Sequence, residues 1–219
     1  MSARKNFCEV LKDEKGYAFV LAFLLLSAVL LAAIEGATGN AQAVETADVN
    51  LSEAVSVAAK AAAIQVTPAS QAAGKPRVGA AAAHSAFRDA LARNIGLDTT
   101  TLAALPGLPY TRIAYWLVIY NGYDDYAYEG APGARLYYYN GSSAVESGFP
   151  YSGFPARFAL TSSGIASGAG GDRTARLDSP GAVALVELEA RKVFGQGTVV
   201  YRRWAAARVV CLEGTCRVD

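Results

Sequence analysis

The hydrophobic and polar positions change rhythm three times along the chain. Residues 17–34, YAFVLAFLLLSAVLLAAI, contain no charge. As a helix these 18 residues span about 27 Å at 1.5 Å per residue, close to the hydrocarbon thickness of a bilayer. A buried core helix is the other reading of such a run. From Val44 the pattern becomes one-sided. Leu51, Ala54, Val55, Ala58 and Ala62 recur at steps of three and four, with Asp48, Ser52, Ser56 and Lys60 opposite. That is an amphipathic helix with a narrow stripe of small residues, suited to close packing on a partner helix or sheet. Gly36 and Gly39 weaken helix locally and mark a plausible bend. Pro68 ends the pattern, so one helix is predicted over 17–66. A loop at 69–80 and a second helix at 81–98 follow, with Asn94-Ile95-Gly96 as its stop signal.

Beyond Tyr110 the period becomes that of strands. Segments 111–122, 134–141, 157–163, 181–194 and 198–211 are rich in β-branched and aromatic residues. The last two flank Gly195-Gln196-Gly197 and pair as a hairpin, and 164–172 reads as a flexible loop. The predicted fold class is α+β: a long transmembrane and amphipathic N-terminal helix, a short helix, then an antiparallel sheet. Three segments follow: a cytoplasmic leader (1–16), a helical spine (17–66) and an exterior domain (67–219).

Charge sets the orientation. Arg4, Lys5, Lys12 and Lys15 precede the apolar run, and Glu35, Glu45, Asp48 and Glu53 follow it. The basic side stays in the cytoplasm, which places the rest outside the membrane. Ala41-Gln42-Ala43 offers the alternative of signal-peptide cleavage before Val44. The formal net charge of +1 gives no basic excess for nucleic acid. With 53% hydrophobic and 18% charged residues, the composition is that of a folded chain.

Catalytic chemistry finds little to work with. One histidine, His84, sits in the first turn of the second helix without a locally placed carboxylate or thiol, and reads as solvated or capping. No phosphate-binding glycine loop occurs. Asp124, Asp125 and Glu129 could gather around calcium, but their spacing is that of a solvated turn. Glu187, Glu189 and Arg191 share one strand face and read as a charged ladder. The expectation is therefore no enzyme, no cofactor and no metal. Cys211 and Cys216, four residues apart around Glu213-Gly214, favour a structural disulfide in an oxidising exterior compartment, with free thiols as the alternative. Nine of the 12 tyrosines lie between Tyr115 and Tyr151. Sheet core is one explanation. An interaction surface built on Tyr126, Tyr128, Tyr137 and Tyr139 is the other.

A charged leader ending in Lys15-Gly16, an apolar helix from Tyr17, an amphipathic continuation and a sheet resemble a prepilin of type IV and tight-adherence (Tad) pilus systems. Ile34-Glu35-Gly36 at the membrane-helix end and the alanine-rich 52–63 resemble the TadE-like group. The resemblance covers roughly 12–66. It implies cutting by a prepilin peptidase between Gly16 and Tyr17, a membrane location with the C-terminal domain outside or in an extracellular filament, and copies of itself or other pilus subunits as partners. Where pilins usually carry Glu at the fifth position after the cut, this chain has Leu21. A membrane-tethered or secreted adhesion module is the competing function.

Overall fold

The structure, a computed structural model, describes residues 14–123, 130–192, 196–212 and 215–219. Side chains are described from Val20, except those of 36–49 and 211–216. The chain divides into two units, with the boundary in the helical spine between Glu45 and Thr46. The 46–63 part of the spine belongs to the second unit.

The first helix, α1, runs over Glu14–Ala63 without interruption at Gly36 or Gly39. It stops three residues before the expected Val66, which instead bridges to Val78. Among the described residues no helix is long and apolar enough to cross a membrane. A five-residue helix, α2 (Pro68–Ala72), interrupts the predicted loop. The third helix, α3 (Ala80–Ile95), ends on Gly96 at φ 75°, the left-handed turn for which the Asn-Ile-Gly signal selects glycine.

Among the described residues nine strands follow: β1 (Tyr110–Tyr120), β2 (Ala134–Tyr139), β3 (Ala144–Gly148), β4 (Ala156–Thr161), β5 (Gly164–Ser167), β6 (Arg173–Leu177), β7 (Gly181–Arg191), β8 (Thr198–Leu212) and β9 (Thr215–Val218). All pair antiparallel. One sheet has the order β3-β2-β1-β7-β8-β9, the other β5-β4-β6. The predicted hairpin is β7–β8, and the presumed loop 164–172 contains β5.

Side-chain alternation divides the core in two. Ile113, Tyr115, Leu117 and Ile119 of β1 join Ala184, Val186 and Leu188 of β7 in one core with the 51–63 part of α1 and with α3. Val118, Tyr120, Val183 and Leu185 belong to a second core with Phe158, Leu160 and Leu177 of the small sheet. The large sheet is thus the middle of three layers, which explains why β1 and β7 read as nearly unbroken apolar runs rather than as strict alternation. Gly164, at φ +132°, lies against this middle layer. A Cβ there would stand 2.7 Å from Trp116 Nε1.

Candidate functional site

The first candidate is the apolar surface of α1. Between Leu21 and Ile34, nine large apolar side chains are exposed, from Leu21 at 43% to Leu25 at 67%. They surround the helix rather than lining one face, and Glu35 closes the stretch. Such a surface is costly to leave in water. The processing residues Lys15, Gly16 and Tyr17 lie on the helical backbone at its start. Their side chains are outside the described positions.

The stripe expected to pack on partners is used differently. Leu51, Ala54, Val55, Ala58 and Ala62 are each no more than 1% exposed, buried in the domain's own core. The reason is chemical economy within one chain: a one-sided apolar helix adjoining an apolar sheet face buries that face intramolecularly. The spine therefore does not offer this stripe to copies of itself.

The tyrosine surface is corrected as well. Tyr137 and Tyr139 are buried, at 4% and 5%, and Tyr126 and Tyr128 lie outside the described residues. Register decides the matter. Tyr139 pairs with Tyr115 and Tyr137 with Leu117, so both turn toward the helices. Tyr138 turns the other way and stacks on Trp116 at 5.0 Å.

These tyrosines pack against His84, which is half-buried and is not the helix cap, a position that Gly79 holds. Its Nε2 is hydrogen-bonded to Tyr115 Oη at 2.7 Å, and its ring stacks on Tyr137 at 4.1 Å and 7°. Phe87 meets Tyr115 edge-on at 5.2 Å, and Tyr139 Oη donates to Thr101 O at 3.0 Å. Burial, and secondarily the Arg88 guanidinium, lower the His84 pKa from 6.5 to about 4. Burial, then Glu146, push Tyr137 up to about 12, and burial raises Tyr115. The cluster holds a neutral imidazole against neutral phenols. Among the described residues the ring's hydrogen-bond partner is Tyr115 Oη. Its chemistry is that of a packed polar core.

A second buried polar group escaped sequence reasoning. Asn121, 0% exposed, accepts from Val78 N at 2.8 Å through Oδ1 and donates through Nδ2 to Val78 O and Pro132 O, both at 2.9 Å. Arg77, also buried, donates from Nη1 to the Asn121 carbonyl. The signal was present as Asn121-Gly122 directly after an apolar strand, a pattern that also fits an ordinary turn.

Glu187 and Glu189 are half-buried and Arg191 is exposed, at alternate positions of β7. Glu187 pairs with Arg202 at 2.7 Å across β7 and β8. Cys211 is the register partner of Cys216, while their side chains lie outside the described positions. Asp124, Asp125 and Glu129 are likewise outside the described residues. Among the described residues no group of three or more His, Cys, Asp or Glu could hold a metal.

No protein-family model, curated protein or solved structure matches the chain.

Proposed function

We propose that the chain is a membrane-anchored, pilin-like structural subunit, similar to TadE-like components of a Tad or type IV pilus system. The observation that carries this reading is the all-round exposure of the nine large apolar side chains between Leu21 and Ile34. Lipid tails or the apolar helices of sister subunits cover such a surface at similar cost, because both are apolar. The uncharged run, counted from Tyr17, reaches 18 residues, enough to span with the domain outside. Leu21 replaces the acid that would neutralise a neighbour's N-terminal ammonium, so association of this helix rests on packing alone. The work is mechanical, without a catalytic step.

The test is the N-terminus and the partition of the native protein. Expected is a chain that resists alkaline extraction from membranes and starts at Tyr17 after prepilin processing, or at its uncut beginning. A free monomer starting at Val44 overturns the proposal. Replacement of residues 1–45 by an unrelated anchor removes the apolar surface while sparing the buried 51–62 stripe. Assembly with pilus subunits is expected to be lost, and persistence of assembly counts against the pilin-like reading.

A further inference from the structure

The large sheet has a rim that is only half covered. β9 pairs with Val209–Leu212 alone, and just beyond it Asp219 exchanges both backbone hydrogen bonds with Arg208, each 3.1 Å. Those two bonds fix the phase of β8. In an antiparallel ladder a residue turns its N–H and C=O to the same side, and neighbours alternate. The β7–β8 register is continuous from Gly181↔Arg208 to Arg191↔Thr198. Val200, Arg202, Trp204 and Ala206 therefore turn their backbone groups away from β7, as Arg208 does. Among the described residues no strand lies alongside them. The Arg202 carbonyl accepts from Arg203 Nη1 at 2.7 Å, a side-chain cover on one position.

This open rim forms one wall of a groove of about 460 Å³. Ser52 of α1 contributes another wall, and Asp172 and Arg173 come from the small sheet. Arg202, Arg203 and Trp204 line the rim itself. Arg173 and Asp172 stand side by side in this lining, and Arg202 is engaged with Glu187. Val200 and Trp204, on the same strand face as Arg202, remain 48% and 40% exposed. Rims are ordinarily protected by short strands, charged side chains, proline, bulges or a covering element. Here two large apolar side chains stand open on either side of the charge.

We propose that this groove docks an extended acidic peptide segment of a partner protein, added to β8 as a strand in line with β9. Main-chain bonds to Val200, Arg202, Trp204 and Ala206 give the affinity, and the alternate side chains give the selectivity. The segment that fits carries a carboxylate opposite Arg202 and Arg173, between two apolar residues that cover Val200 and Trp204. A second copy of the chain suits the groove less well. β8 against β8 opposes arginines to arginines, and the other rim, β3, offers one acid, Glu146, already paired with Arg135 at 3.2 Å. The inference rests on the 46–219 domain and is independent of the anchoring proposal.

The test uses the full chain in detergent and a labelled, capped seven-residue peptide with valine, glutamate and valine at alternate positions and threonine between them. Saturable binding by fluorescence anisotropy is expected. Arg173→Glu, Arg202→Gln, or lysine in place of the peptide's glutamate should each weaken it at least about tenfold. N-methylation of the amides on one edge of the peptide should abolish binding, and on the opposite edge should not. Arg173 lies outside the β7–β8 ladder, so its variant separates lost binding from lost folding. Absence of saturation up to about 1 mM overturns the proposal. So does binding indifferent to the lysine exchange or to N-methylation at either edge. Self-association of the chain that Arg202→Gln abolishes, with no peptide binding, assigns the rim to a second copy and also overturns it.

Discussion

The two described stretches of α1 are both apolar, yet they solve opposite problems. Residues 20–34 carry Leu, Phe, Val and Ile around the whole circumference, and nearly all are exposed. Residues 50–63 carry mostly Ala on one face, and that face is buried in the chain's own core while Ser52, Glu53, Val57 and Lys60 stay outside. Total hydrophobicity does not distinguish the stretches as well as its angular distribution does. A one-sided stripe can be satisfied by a sheet from the same chain. An all-round apolar surface exceeds what one neighbouring layer can cover.

The comparison predicts separable mutational effects. The largest belongs to the first stretch. Leu25→Asp together with Leu30→Asp places two carboxylates in the apolar run, each costing about 2.5–3.5 kcal/mol at the centre of a membrane helix. The double variant is expected to leave the membrane fraction on alkaline extraction, while the thermal transition of the 46–219 domain stays in place. A transition that moves by the same amount as in a core variant would erase the contrast between the stretches.

The reciprocal experiment is Leu51→Ala. It removes a fully buried side chain and should lower domain stability by about 2–5 kcal/mol without changing extraction. Ala58→Leu tests the same interface from the other side. Ala58 is 0% exposed, and overpacking there should cost about 1–3 kcal/mol. Denaturant unfolding followed by circular dichroism measures both. If the stripe served partner subunits instead of the core, both variants would leave isolated-domain stability unchanged and weaken assembly.

A polar contact secures the same core from the far end of β1. Asn121→Leu leaves the Val78 N–H and C=O without their side-chain partners, and should destabilise by about 2–3 kcal/mol. Asn121→Asp keeps an acceptor for Val78 N but loses the Nδ2 donor, so its loss separates the donor's share from the acceptor's. Equal stability of the wild type and Asn121→Leu in denaturant melts would remove Asn121 from the account of how the 77–79 segment is held.

Much of this architecture was legible in the chain, for identifiable reasons. Long amphipathic periods gave α1 and α3, and Gly96 stopped α3 because its left-handed conformation tolerates few other residues. The apolar runs of β1, β7 and β8 also stood out. Short strands did not: β3 and β9 are five and four residues with little apolar content, and β5 begins on Gly164 inside a glycine-rich stretch that also reads as loop. The direction faced by the tyrosines was illegible for a different reason. Tyr137, Tyr138 and Tyr139 are adjacent, so alternation sends neighbours to opposite faces, and only pairing with β1 says which face is which. The open rim of β8 depends likewise on where β9 ends, a tertiary fact without a local sequence signature.

The smallest predicted effect tests the core beneath the buried stretch through its one histidine. His84 is only partly buried, so solvent screens its interactions and limits the size of the effect. The groups around it are Arg88, Tyr115, Tyr137 and, beyond Tyr137, Glu146. Its pKa in the folded chain is about 4, against an ordinary 6.5, so folding favours the neutral ring. Above pH 6.5 both states are neutral there and the contribution is fully present. As pH falls from 6.5 toward 4 the unfolded chain binds the proton first, and stability declines. Below about 4 the loss is complete. Carboxylates titrate in the lower part of this window, so the measurement is the difference in melting temperature between wild type and His84→Gln across pH 4 to 7. The wild type should lose relative stability progressively toward the acid end, and a flat difference would place the imidazole in contact with water rather than between Tyr115 and Tyr137. Membrane extraction should not respond to the substitution at any pH, because the exposed 20–34 surface contains no titrating group.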